Sequence, residues 1–454
     1  MRDTVSDAGS FQGHGSKPYR AYVLGALVVI YMFNFIDRVL LGIVQESIKH
    51  EFNLTNLQLG IIGGPAFALL FTIAGLPIAR WAERGNRISI VAMGAALWSL
   101  FTTLCGFTQN FFQLLAARIG VGIGEAACVP PSQSVISDYF PANRRASALA
   151  IYALGIPIGS GIAAFGGGWL TQHFDWRSAF WLLGAPGLVT ALLLKLTVRE
   201  PPRTGAAEQA PSFGETLKIL FRKPSFWHTA FAGALVAACG YGSLQFLVSH
   251  LVRNYNLGAT LPEKIANASY VFGIYAGVSM GVGTFLGGFL ADRFSKRHKN
   301  ALAWLPALGL VLAVPLYAVS YLETALVPAL ALLLVAPLVH YLYTGPYFAI
   351  AQSVSPPRAR ATATAILVFV GTIIGNGIGP PLVGFANDFF ASQILAHEGL
   401  NRATACADAT NAAACAAADG MGVRYALVAM LVFLLWAALH FLLAGRTLQR
   451  DRES

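Results

Sequence analysis

About twelve apolar blocks, each of some 19 to 27 residues, run through this chain of 454 residues and limit its fold more than any motif does. As a helix, each block is long enough to cross a hydrocarbon core of ~30 Å. Only 11% of the residues are charged, where soluble domains carry roughly 25%. In lipid every backbone amide must find its partner inside the protein, so blocks of this length are helical. A β-barrel would need alternating segments of about ten residues, and the sequence has none. The expected fold is an all-α polytopic membrane protein with twelve transmembrane helices.

A net charge of +10 raises the question of a nucleic-acid partner, and the positions of the basic residues answer it. With the N-terminus placed on the cytoplasmic side, 23 of the 31 lysines and arginines fall in loops on that side. Six fall on the opposite side, and two, Arg38 and Arg118, lie within helices. That asymmetry is the positive-inside pattern. It predicts cytoplasmic termini, a multi-pass protein of the plasma (inner) membrane and no nucleic-acid partner. Residues 1–18 read as a polar cytoplasmic tail without an apolar segment ahead of a cleavage site, so no removable signal peptide is expected. Cys105, Cys128 and Cys239 fall inside helices as core filler. Cys406 and Cys415 share an outward loop and are candidates for a disulfide.

Helices 1–6 occupy residues 19–196 and helices 7–12 residues 225–454, with a cytoplasmic linker over 197–224 and an alanine-rich outward loop over 389–420. The two halves read as repeats. Glu83-Arg84 after helix 2 recurs as Asp292-Arg293 after helix 8, an offset of 209. Arg144-Arg145 before helix 5 recurs as Arg358 and Arg360 before helix 11. The glycine-proline run of helix 5, Gly155 to Gly161, recurs as Gly371 to Pro381. An even helix number with both termini on one side makes the repeat parallel, about an axis along the membrane normal.

The stretch Gly288-Phe-Leu-Ala-Asp292-Arg293-Phe-Ser-Lys-Arg297 resembles the signature loop of the major facilitator superfamily. In the first-half copy Glu83 stands where aspartate is usual, and Asn86 replaces the second glycine. Arg118-x-x-x-Gly122-x-Gly124-Glu125-Ala126 is similar to that superfamily's helix-4 motif. Asn34-Phe-Ile-Asp37-Arg38, together with Val121 to Ala126 and Glu83-Arg84-Gly85-Asn86-Arg87, looks most like the Spinster family of lipid transporters. The resemblance implies that helices 1 and 4 line a central cavity. It also implies that Glu83, Arg84, Arg87, Asp292 and Arg293 act as gating loops that latch the cytoplasmic side in the outward-facing state.

Charge within helices sharpens the reading. Each ionised side chain at the bilayer centre costs about 2.5–3.5 kcal/mol on insertion scales, so Asp37, Arg38, Arg118 and Glu125 must pair or meet water. Arg118 and Glu125 lie two turns apart on one helix face, and the glycines between them admit a close neighbour. Asp37 and Arg38 point about 100° apart, so the expected group is Asp37, Arg118 and Glu125, with Arg38 nearer a gate or loop partner. Burial and a neighbouring arginine pull a carboxyl's proton affinity in opposite directions, so water access could switch it. Asp37 and Glu125 are therefore the proton-coupling candidates, and Arg118 and Arg38 the charge partners or holders of an anionic head group. The plain alternative is a permanent structural ion pair.

The segment repeating Arg118–Glu125 falls near Leu332–Val339, which is uncharged. The second half offers Tyr241, Gln245, Tyr275, Ser279, His340, Tyr343, Tyr347 and Asn376 as substrate-contact candidates. For each of these, a packing role is the simpler reading. A cavity charged on one wall and aromatic on the other suits a small amphipathic substrate. No Walker loop, serine elbow or metal-ligand spacing is present, so an enzyme is not expected. The energy source would be a proton gradient with no cofactor. The expected function is a monomeric, proton-coupled transporter of a lysolipid or sphingoid type of molecule working by alternating access. An organic-anion/proton symporter is the first alternative, and a lipid sensor or scramblase without coupling is the second.

Overall fold

The computed structural model describes residues 14–202, 213–298, 300–356 and 359–453. Arg358 and most of the N-terminal tail lie outside them. Twelve helices are long and apolar enough to cross a membrane: helix 1 (Lys17–Phe52), helix 2 (Asn56–Ala82), helix 3 (Arg87–Cys105), helix 4 (Phe111–Tyr139), helix 5 (Ser147–His173) and helix 6 (Trp176–Thr197), then helix 7 (Pro224–Asn254), helix 8 (Leu261–Ser295), helix 9 (Ala301–Leu322), helix 10 (Leu326–Ser353), helix 11 (Thr362–His397) and helix 12 (Ala412–Arg452). Two spans of the sequence reading change. A short helix, Phe213–Phe221, lies within the linker. The expected outward loop over 389–420 shrinks, because helix 11 runs on to His397 and helix 12 starts at Ala412. Alanine is the strongest helix former, and this segment is rich in it. Cys406 and Cys415 are joined by a disulfide in what remains of the loop.

Several helices break at mid-depth. Helix 2 turns at Gly64, helix 4 at Ala126–Cys128 and helix 5 at Leu154. In the second set, helix 8 widens into a π turn at Tyr275–Ser279, helix 10 tightens at Tyr341–Tyr343, and helix 11 widens at Thr372–Asn376. Proline explains most of them. It lacks an N–H, so it frees the carbonyl four residues back. Pro130, Pro157, Pro346 and Pro380 each follow a break by the distance that leaves Ala126, Ala153, Leu342 and Asn376 without that partner. Irregular backbone at this depth survives only where protein or a cavity covers it.

The two sets of six helices meet by close backbone approach. A side-chain carbon at Gly60 of helix 2 would sit 2.4 Å from the Pro380 carbonyl oxygen of helix 11, and one at Gly384 would sit 2.2 Å from the Asn56 carbonyl oxygen. Only glycine permits that spacing. Helices 5 and 8 form the second such seam, with Gly168 against Ala266 and Ser269.

Candidate functional site

The charged group sits in the core of the first set. Gly122 brings helix 4 against the Phe67 carbonyl of helix 2, and Gly124 brings it against Trp98 of helix 3, as the three-glycine spacing predicts. This fixes Glu125 at the last α-helical residue before the break. Asp37, Arg118, Glu125 and Asn34 are all almost wholly buried. The ion pair, however, joins Arg38 Nε to Glu125 Oε2 at 2.6 Å. Arg118 instead donates from one guanidinium nitrogen to the backbone oxygen of Asp37 at 3.5 Å.

The expected grouping is therefore corrected: Arg38 is at the centre, not near a gate or loop. The 100° step from Asp37 turns Arg38 toward helix 2. There its guanidinium lies 4.9 Å from the Phe67 ring centre and 5.2 Å from those of Phe35 and Phe71. Aromatic faces of this kind stabilise a cation. Asp37 remains within electrostatic reach of Glu125, Arg118 and Arg38. Two cations and two carboxylates balance to zero. Among the described residues, Glu125 Oε1 and Arg118 Nε are buried without a hydrogen-bond partner. Buried polar groups without a partner are rare, and each marks strain, a functional role or a place for water or an ion. Arg38, with a side chain 20% exposed, is the member of the ion pair with accessible surface, since Glu125 has none.

A cavity of about 290 Å³ lies beside this group, walled mainly by the second set. Phe35, which stacks on Arg38, reaches it from helix 1, and Tyr241, His340, Tyr341, Tyr343 and Tyr347 line it from helices 7 and 10. Its size and aromatic walls suit a small organic ligand. Tyr275 stands one layer behind, its hydroxyl 3.2 Å from that of Tyr317, which is in turn 3.2 Å from His340 Nδ1. His340 Nε2 has no partner. Asn376 and Ser279 are buried in the widened turns of helices 11 and 8.

The breaks reset the repeat register by one residue. Helix 4 ends its regular path at Glu125 and resumes at Val129, and helix 10 ends at His340 and resumes at Thr344. The offset is 215 in both cases, so the counterpart of Glu125 is His340, not a residue of Leu332–Val339.

Gln245 is also reassigned. One helical turn beyond Tyr241, it leaves the cavity and donates through Nε2 to Gln45 Oε1 at 2.5 Å, while Gln45 donates to the Gln245 backbone oxygen and Ser249 Oγ at 2.7 Å. This pair begins a latch at the end opposite the termini. Arg253 clasps Glu46 at 2.6 Å and reaches Asn56 at 2.9 Å. Lys49 pairs with Asp419. Asp388 accepts from the Asn56 side chain at 2.8 Å and the Leu57 amide at 2.9 Å. Each of these contacts crosses from the first set to the second. They were missed in sequence because Glu46, Lys49 and Arg253 read as ordinary helix-end charges.

At the terminus-bearing end the loop charges separate. Arg87 is buried and holds Asp138 at 2.5 Å and Glu200 at 2.6 Å, all within the first set. Asn86 caps helix 3 by accepting from the Ser89 amide, which accounts for its place in the loop. Arg84, Asp292 and Arg293 are exposed, and the Glu83 side chain lies outside the described structure.

Twelve helices in two sets, latched at one end around a mid-depth charged centre and cavity, define a membrane transporter and not an enzyme. The family model of the Major Facilitator Superfamily matches residues 27–380, and the chain belongs to that superfamily. Within it the chain is Spinster-like. It is 36% identical to a bacterial homologue of the human lysosomal transporter Spinster, crystallised in an inward-facing, unoccupied conformation. That match has a TM-score of 0.86 and covers 97% of this chain and all of that one. It is 30% identical to an MFS-type efflux pump of Mycolicibacterium smegmatis over 86% of this chain and 89% of the pump. It is 27% identical to protein spinster homolog 1 of Homo sapiens over 82% of this chain and 74% of that protein.

Proposed function

We propose that the chain is a proton-coupled transporter of an amphipathic, lipid-like molecule of the lysolipid or sphingoid type. The observation that carries this is the Arg38–Glu125 pair, in which a buried carboxylate holds a cation that keeps partial exposure. A proton on Glu125 removes the counter-charge and leaves Arg38 free for an anionic head group. Loss of that proton returns Arg38 to Glu125 and releases the head. Asp37 is the second carboxylate of the group, and Arg118 pins the backbone beside it. The tyrosine-rich cavity takes the apolar part of the molecule. A small organic anion would be served better by a second cation there, and the described lining residues include no lysine or arginine.

The termini lie on the cytoplasmic side of the plasma membrane in this reading, so the latch shuts the outer side and the arrangement faces inward. The units that rock are residues 19–196 and 225–454, and the working form is a monomer. Glu125→Gln in proteoliposomes provides the test. Flux of a lysolipid under an imposed pH gradient should lose its dependence on the gradient while the protein stays folded. Flux that keeps the same proton dependence would refute the coupling role. Wild-type flux indifferent to the gradient would identify a scramblase instead.

A further inference from the structure

Helix 8 exposes a continuous apolar stripe: Ile274, Val278, Val282, Phe285 and Phe289 are between 42% and 72% exposed. From Ile274 to Phe289 it rises about 22 Å, more than one leaflet's ~15 Å share of the hydrocarbon core. At its terminus-bearing end Phe289, Asp292, Arg293, Lys296 and Arg297 surround a recess of about 420 Å³. Among the described residues the three cations have no ion-pair partner.

The first-half copy of this loop shows what is missing. There Arg87 is neutralised by Asp138 and Glu200. The 215-residue offset that relates Glu125 to His340 carries Asp138 to Ser353. That serine is a hydroxyl, and it already accepts from Arg452 Nε at 3.1 Å. Among the described residues the second copy therefore sets three cations against one carboxylate, Asp292, with no acid at the position equivalent to Asp138. A surplus of positive charge at the membrane boundary, continuous with an apolar stripe of leaflet length, matches an anionic head with acyl chains attached. Basic residues at this depth attract an anionic membrane surface.

We propose that this face of helix 8 binds an intact anionic phospholipid of the surrounding membrane, its phosphate on Arg293, Lys296 and Arg297 and its chains along Phe285 and Phe289. The site is separate from the transport cavity and does not rest on the transport reading.

Native mass spectrometry of the full-length protein, with phosphatidylglycerol or phosphatidylcholine added to the detergent, tests it. Phosphatidylglycerol should be retained at least severalfold better. The combined Arg293→Gln, Lys296→Gln and Arg297→Gln variant should reduce that retention about tenfold. Arg84→Gln in the first-half loop should not change it, and Asp292→Asn, which removes the one opposing charge, should raise it two- to threefold. Phe285→Ala with Phe289→Ala should weaken retention of the lipid. Equal retention of the two lipids overturns the proposal. So does a triple variant with wild-type retention, or an Asp292→Asn variant that loses lipid. Inorganic phosphate competing as well as the lipid does, with no effect of the phenylalanine pair, would make this a plain anion site and also overturn it.

Discussion

Helix 4 leaves its regular path after Glu125 and helix 10 leaves it after His340, at equivalent points of the two sets. The backbone event is the same and the chemistry is opposite. In the first set the break ends on a carboxylate clasped by Arg38, within a group of two cations and two anions. In the second it ends on an imidazole that faces the cavity and meets the Tyr317 hydroxyl, which in turn meets that of Tyr275. The repeat thus dictates where the chain must bend, and leaves open what the bend carries. At mid-depth the charged side chains lie in one set, while the other supplies shape and hydrogen bonds. Both keep a buried polar atom without a partner, Glu125 Oε1 and His340 Nε2.

The bluntest way to break the comparison is to part the two sets. Arg253→Met leaves Glu46, whose side chain is 2% exposed, as a buried carboxylate without its cation. Losing one partner of such a pair costs about 3–5 kcal/mol, and that cost falls on the latched arrangement alone. Double electron–electron resonance between labels at the far ends of helices 2 and 11 should show the longer distance dominating. Unchanged distances would mean that the glycine seams, not the ion pairs, hold that end.

Arg38→Gln attacks the centre of the first set. It removes the cation while leaving Glu125 buried, so substrate flux should fall about 100-fold at every pH, equivalent to ~2.7 kcal/mol. A variant that transports normally would show that the pair is structural. His340→Phe tests the second set more gently. The ring volume is largely kept and the polar edge is lost, so flux should fall about tenfold, ~1.4 kcal/mol, with its pH dependence intact. If the pH dependence disappears instead, the second set also carries the titrating charge and the contrast between the halves fails.

Much of this molecule was legible in its residues. Apolar length defined the twelve helices, and the charge-bearing positions Asp37, Arg38, Arg118 and Glu125 stood out because lipid-grade sequence makes ionised side chains costly. Pairing was less legible. Helical angle shows that Asp37 and Arg38 diverge, but not which of them meets Glu125, because that depends on how closely Gly122 lets helix 4 approach helix 2. The register error at His340 has a similar origin: proline-induced turns shift the repeat by a residue that loop markers cannot detect. The latch was the least visible part. Glu46, Lys49, Asn56, Arg253, Asp388 and Asp419 come from five helices, and nothing in any one helix announces the others. The outward loop is shorter than expected because its alanine-rich sequence favours helix.

The smallest effect expected lies at that loop. Arg402 begins the short helix Arg402–Ala405, four residues before Cys406, and Asp419 lies four residues after Cys415. The bridge between those cysteines keeps Arg402 between two acids, 2.9 Å from Asp388 and 2.7 Å from Asp419. Both acids also face the first set, Asp388 through Asn56 and Leu57 and Asp419 through Lys49. Arg402 therefore screens two like charges that the latch brings together. Replacing both cysteines, Cys406→Ser with Cys415→Ser, frees the segment that carries it. Arg402 and its two partners are about a fifth exposed, so the loss should be no more than that of a partly solvated pair, about 0.2–1 kcal/mol. Since each 1.4 kcal/mol is tenfold, the ratio of latched to open protein should drop by about 1.4- to 5-fold in the same distance measurement. An opening as large as that of Arg253→Met would move the main hold of the latch from the buried Glu46–Arg253 pair to the bridged loop.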